Sequence, residues 1–257
     1  DGKINLEERM YDTMKTGKKQ IKGAAALGLS LAVLAAAFCV NTVKAEETPA
    51  ADAAQGAQDP QTPQETPALG PTAENDYQQG KVYKISPKSK PLKASKFAKS
   101  ALYNKKTRAY FTIRSYMEKF QKSGKGTLIL KKGTYTITNT IQVPSHVTIV
   151  FEKGVKIVKG TKTGTKKMPA SITVFQLIRQ SKSKKKGAYG GHNGEKNIHF
   201  VGKGNVTIDL KYMKNAIGIV MGHNKDVTVD GINFQKMNNG HFLEIDAAQN
   251  VTITNCT

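Results

Sequence analysis

A tetrapeptide that keeps returning constrains this chain more than any other feature. Asn205-Val206-Thr207-Ile208 recurs as Asp226-Val227-Thr228-Val229 and as Asn250-Val251-Thr252-Ile253, with starts 21 and 24 residues apart. A period of roughly 20–25 residues built from several short strands specifies a β-solenoid, in which each turn of chain stacks on the last. A leucine-rich repeat needs a Leu/Asn ladder that is absent here. A propeller needs ~40 residues per blade, and a sandwich does not repeat a tetrapeptide in register. The intervening runs (TLIL, TYTIT, HVTIVF and VKIV, then NIHFV, AIGIVM and HFLEID) are short, β-branched and alternating. That period of two is the signature of strands.

Stacking the three copies predicts faces. Val206, Val227 and Val251 would form one inward file, and Ile208, Val229 and Ile253 another. Thr207, Thr228 and Thr252 would point out, with Asp209 beside Asp230 on adjacent turns, about 4.8 Å apart. The residues that open each copy, Asn205, Asp226 and Asn250, suit a turn with left-handed backbone.

One helical signal precedes the strands. Tyr110, Ile113, Met117 and Phe120 recur at helical spacing between Thr107 and Ser123, flanked by Phe111 and Tyr116, and Gly124 is placed to end the helix with a left-handed cap. The pattern expected is therefore a β-solenoid preceded by a single amphipathic helix.

Charge divides the rest. The net charge of +21 is concentrated in residues 81–186, where 27 Lys and Arg face only Glu118 and Glu152. Residues 46–80 carry seven acids, no Lys or Arg, and mostly Pro, Ala and Gln. Such a stretch cannot bury enough apolar surface to offset ordering entropy, and reads as a disordered linker. Residues 14–45 run from a basic start through a 17-residue apolar segment (24–40) to Val43 and Ala45, the pattern of a cleaved signal peptide. Residues 1–13 would lie upstream of the native start. Residues 81–257 would be the first part of a β-helix domain, with Asp1 and Thr257 expected to be cut points in a longer frame. Removing the leader takes Cys39 with it and leaves Cys256 unpaired, which argues against a disulfide-stapled fold. The expected location is extracellular or at the cell surface, with no membrane span after cleavage.

Two segments resemble a known group. Gly126-Thr-Leu-Ile-Leu-Lys-Lys-Gly133-Thr-Tyr135 is similar to the signature that opens many pectin-lyase-like β-helices, with Lys131 or Lys132 where Pro is common. Asn197-Ile-His-Phe-Val-Gly202-Lys-Gly204-Asn-Val-Thr-Ile208-Asp209 resembles a segment of polygalacturonase-type (family-28-like) glycoside hydrolases. The resemblance covers residues ~105–257 and implies an all-β fold, a right-handed parallel β-helix with the helix as its N-terminal capping α-helix, in a secreted protein that cleaves an acidic polysaccharide such as pectin, as a hydrolase or lyase. That group's Asn-Thr-Asp, Asp-Asp, Gly-His-Gly and Arg-Ile-Lys motifs are absent from this sequence and would be expected beyond Thr257. The alternative is a non-catalytic surface adhesin, or polyanion-binding β-helix module.

The residues themselves offer few candidates. Alternation along 241–246 puts Leu243 and Ile245 in the core and Glu244 and Asp246 outside at i, i+2, a pairing that acid–base hydrolysis or Ca²⁺ binding could use. A solvated strand face is the plainer reading. Asp209 and Asp230 form the second candidate pair, balanced by Ca²⁺ or, more simply, by solvation beside Lys211 or Lys225. No histidine or cysteine spacing suggests another metal or a cofactor. Lys184, Lys185 and Lys186 crown the basic stretch as candidate polysaccharide contacts, with Tyr189 and His192 in the Gly-rich loop behind them able to stack on sugar. A potential this positive draws polyanions; secretion makes an acidic polysaccharide the expected partner and nucleic acid an unlikely one in vivo.

Overall fold

The computed structural model describes residues 77–257; the expected upstream residues 1–13, the expected signal peptide at 14–45 and all but the end of the expected linker at 46–80 lie outside them. Fourteen strands follow one another, β1 (Val82–Ile85), β2 (Gly126–Leu130), β3 (Gly133–Ile137), β4 (Ile141–Gln142), β5 (Val147–Phe151), β6 (Val155–Lys159), β7 (Thr173–Gln176), β8 (Lys196–Gly202), β9 (Thr207–Asp209), β10 (Ile217–Gly222), β11 (Lys225–Asp230), β12 (Asn233–Gln235), β13 (His241–Asp246) and β14 (Gln249–Thr254). They pair into three sheets. Sheet A runs β1-β2-β5-β8-β11-β14, sheet B runs β3-β6-β9-β12 and sheet C runs β4-β7-β10-β13. Every third strand from β2 onward enters the same sheet, and every pairing is parallel. The chain is a parallel β-helix of three-strand turns.

Inward side chains stack in register. Leu128, Ile149, Phe200, Val229 and Ile253 form one file, and Tyr135, Ile157, Ile208 and Phe234 another. Ile141, Phe175, Ile219 and Leu243 form the file of sheet C. Burial of such aliphatic and aromatic files is the main stabilising term of a solenoid.

The register corrects one expectation. Val227 stacks on Val251, but the turn before it contributes Ile198, not Val206. The copy that begins at Asn205 lies in sheet B, where Ile208 meets Ile157 and Phe234. Alternating Val-Thr-Ile suits either sheet, so identity of letters did not mean identity of place; at this copy the left-handed residue is Gly204 (φ 75°), not Asn205 as expected. Asn197, Asp226 and Asn250 hold the left-handed position as the second residues of β8, β11 and β14, and His146 holds it just before β5, all with φ between 53° and 57°.

The helix α1 (Arg108–Ser123) closes the end of the core, with Gly124 at φ 79° as its cap. Ile113, Tyr116, Met117 and Phe120 join the core. Gly126 is glycine because Phe120 lies flat against its backbone; a Cβ there would sit 2.1 Å from the ring. The Gly133-Thr-Tyr135 element has a comparable logic. Gly133 adopts φ 134° against Pro87, and the buried Tyr135 hydroxyl donates to the Ile85 and Lys131 carbonyls at 3.0 and 2.8 Å. Lys159 faces inward at the end of β6. Its ammonium donates to the carbonyls of Ile137, Thr138 and Gly160 at 3.0, 2.9 and 3.1 Å, which offsets the cost of burying it.

Candidate polyanion-binding surface

Sheet B turns two files outward. One is Thr134, Lys156, Thr207 and Asn233; the other is Thr136, Val158, Asp209 and Gln235. Asp209 belongs to the outer face yet is only 1% exposed, because its neighbours fold over it. Lys156 and Lys236 place their ammonium groups 3.3 and 3.2 Å from the same carboxylate oxygen. Gln235 donates to that oxygen at 3.3 Å, and the Lys211 amide donates to the other at 2.9 Å. Burial alone would raise its pKa, but the Lys211 amide and the two ammonium groups outweigh it and hold the carboxyl below the usual range. Asp209 is thus an anion that fixes two lysines. Their side chains remain 42% and 37% exposed, so each can still meet a ligand.

Two corners flank this face. On the side leading to sheet C, residues 210–215 stack on 235–239. The Tyr212 amide donates to the Lys236 carbonyl at 2.7 Å, and the Asn215 amide to the Asn238 carbonyl at 2.9 Å. Asn239 donates to the Asn215 side chain at 3.1 Å. Five residues here, Lys211, Tyr212, Asn215, Lys236 and Asn239, hold positive φ without being glycine, a cost that persists only where the surroundings enforce it. The turn leaves the Tyr212 side chain 63% exposed beside Lys211. On the other side, between sheets A and B, lies an open cleft of about 390 Å³ whose lining includes Gly202, Asn205, Asp230, Gly231, Asn233 and Asn255. Asp230 there accepts from Thr254 at 2.9 Å and from Asn255 at 2.8 Å. The cleft and the Tyr212 corner thus flank the lysine-bearing outer face of sheet B, the trough of the coil.

Among the four carboxylate candidates, Asp209 and Asp230 are not stacked as expected. Asp209 pairs in register with Val158 and Gln235, whereas Asp230 lies in sheet A between Val201 and Thr254. Each has its own donors, so the expected stacked pair does not form. Glu244 and Asp246 do face outward on β13, beside Val220 and Gly222, and neither is in an ion pair among the described residues. Leu243 and Ile245 continue the inward files of Ile219 and Met221, but Ile245 is 46% exposed because no described strand covers the far edge of β13.

Lys184, Lys185 and Lys186 are exposed on the long loop between β7 and β8. That loop spans the corner from sheet C to sheet A, so the structure does not bring it to the trough. Its base is a buried cluster around Glu195. Arg179 donates from Nε at 2.6 Å and Nη2 at 3.0 Å, the Ser145 amide at 2.7 Å, and the Ser145 and Tyr189 hydroxyls complete the shell. Burial would raise the Glu195 carboxyl, but the hydrogen bonds from Arg179, Ser145 and Tyr189 pull it down to about 2. Tyr189 is thereby tied at its hydroxyl, and Lys182 sits 4.8 Å over its ring. His192 bonds through Nδ1 to the Ala247 carbonyl at 2.8 Å. Sequence reasoning singled out none of Lys156, Lys236, Tyr212 or Glu195. An acid isolated between Gly194 and Lys196, and an aromatic between Lys211 and Lys214, were the available signals.

No protein-family model and no curated protein matches the sequence. Among solved structures, PfbA, a surface adhesin of Streptococcus pneumoniae, aligns at 16% identity with a TM-score of 0.45, over 68% of this chain and 37% of that one. An iota-carrageenase complexed to iota-carrageenan fragments aligns at 18% identity and a TM-score of 0.33, over 74% of this chain and 41% of that one. A 1,3-alpha-1,4-beta-D-galactose-4-sulfate-3,6-anhydro-D-galactose-2-sulfate 4-galactohydrolase aligns at 18% and 0.32, over 73% and 44%. This chain spans less than half the length of each of the three. No helix among the described residues is long and apolar enough to cross a membrane.

Proposed function

We propose that this chain is a secreted β-helix protein that holds an acidic polysaccharide along the outer face of sheet B. The observation that carries the reading is the arrangement at Asp209, where one buried carboxylate presents Lys156 and Lys236 side by side on a polar floor with Tyr212 at its edge. Two fixed ammonium groups, a hydroxyl and amide floor and an exposed ring are the parts an anionic sugar chain needs: charge, hydrogen-bonding partners and a stacking platform. Binding is common to a hydrolase or lyase acting on a pectin-like polymer and to a non-catalytic adhesin. It is favoured over catalysis within the trough because Asp209 is held ionised by its lysines and is committed to them. The enzyme reading keeps one observation of its own, the unpaired outward Glu244 and Asp246.

Incubating the chain with polygalacturonate and with a neutral polysaccharide of similar length tests the reading. Retention on the acidic polymer alone is expected. New reducing ends without unsaturated uronate would mark a hydrolase, new reducing ends together with unsaturated uronate ends a lyase, and retention without either a binding module. Equal retention on both polymers, or on neither, contradicts the proposal.

A further inference from the structure

Sheet A has an occupied outer face. Its outward file includes Thr127, Thr148, His199 and Thr228, and the segment 77–80 lies across the first three of these. The Gln79 amide donates to the Thr127 hydroxyl at 2.8 Å, and that hydroxyl donates back to the Gln79 carbonyl at 3.0 Å. The Gln79 side chain spans two further turns of the coil, donating to Thr148 at 3.3 Å and to the Asn197 carbonyl at 3.1 Å. The Thr148 hydroxyl donates to the Tyr77 carbonyl. The Tyr77 ring covers His199, with 4.8 Å between ring centroids.

Asn197 joins this crossing to two imidazoles. Its Nδ2 donates to Gln79 Oε1 at 3.0 Å and to His146 Nδ1 at 3.2 Å, while its Oδ1 accepts from His199 Nε2 at 2.7 Å. The hydrogen-bond pattern therefore requires both rings to be neutral. His146 must offer a lone pair at Nδ1. His199 carries its proton on Nε2, which leaves Nδ1 bare, and that atom is buried with no partner. A second proton on His199 would place an unsatisfied N–H⁺ under Tyr77, and a proton on His146 Nδ1 would expel the Asn197 donor.

We propose that residues 77–80 form a latch on sheet A that closes while His146 and His199 are neutral and opens on acidification, releasing the arm that joins the acidic stretch to the β-helix. Burial lowers the His199 pKa and Asp226 opposes it only in part. The other neighbours of His199 are Thr148 and Thr228 in register and Tyr77 above, and none of them supplies a compensating charge. The sign follows from linkage. A histidine whose pKa is lower in the latched form, as for His199, favours that form above the ordinary value of about 6.5, and loses that preference as pH falls from there to the latched pKa, by up to about 10-fold per pH unit.

Hydrogen exchange in the full chain between pH 7 and pH 5, corrected for intrinsic rates, reads this directly. The Gln79 amide should lose protection at least tenfold while β2 and β5 stay protected. The double variant His146→Gln with His199→Gln, which keeps neutral side chains at every pH, should hold that protection across the range. Constant protection in the wild type overturns the latch, as does an equal loss in the double variant. Should a variant not fold, the ring C–H resonances of the wild type serve instead. At least one of the two imidazoles must titrate with the midpoint at which protection is lost, and a mismatch for both overturns the proposal.

Discussion

Two buried carboxylates, Asp209 and Glu195, are each surrounded by donors but serve different ends. Asp209 shares one oxygen between two half-exposed lysines and so presents charge outward, whereas Glu195 is enclosed by Arg179, Ser145 and Tyr189 and ties a loop inward. With its carboxyl pulled down to about 2, Glu195 contributes stability that is complete above its unfolded value of roughly 4.3 and is lost as pH falls toward 2. Glu195→Gln should therefore cost about 1–3 kcal/mol at neutral pH, the range for hydrogen bonds to a charged group, tempered because Arg179 is partly exposed. Denaturant midpoints measured from pH 6 to 2.5 check this. The wild type should lose more stability across that interval than the variant, and parallel curves would contradict the assignment. Neither role was legible in the sequence. A lone acid carries no periodicity, and only the fold shows which donors surround it.

At the scale of elements, the helix Arg108–Ser123, its Gly124 cap and the strands that follow were readable, because each rests on local periodicity and turn chemistry. The assignment of strands to sheets was less so. The turn from β8 to β11 runs from Ile198 to Val227, longer than the next, which runs from Val227 to Val251. The sequence copy at Asn205 falls within that longer turn, on another sheet. The contact between Phe120 and Gly126 was invisible for the same reason, since it joins two elements rather than lying within one. It makes a direct prediction. Gly126→Val should destabilise the chain by about 1–3 kcal/mol through overpacking, and Phe120→Ala should recover part of that loss in the double variant. A purely additive double-mutant cycle by thermal or denaturant unfolding would show that the ring and the glycine are not coupled.

For the whole molecule, the concentration of charge in residues 81–186 was plain in the sequence, but its distribution over surfaces was not. Lys159 and Arg114 are buried, so part of that charge never reaches solvent. Lys156 joins Lys236, which comes from the charge-balanced part of the chain, while Lys184, Lys185 and Lys186 project from a different corner. Two basic surfaces result, and the account assigns the polysaccharide to the one on sheet B. Affinity for an immobilised acidic polysaccharide at low salt, measured for two folded variants, separates them. The first combines Lys156→Gln and Lys236→Gln with Asp209→Asn, so that no carboxylate is left buried and unpaired; the second replaces Lys184, Lys185 and Lys186 with Gln. The three trough substitutions together remove one net positive charge, so at about 1 kcal/mol per charge near a polyanionic surface the trough variant should bind at least roughly 5-fold more weakly, and the loop variant should change less. Unchanged affinity in the trough variant, with the loss confined to the loop variant, would contradict the central claim.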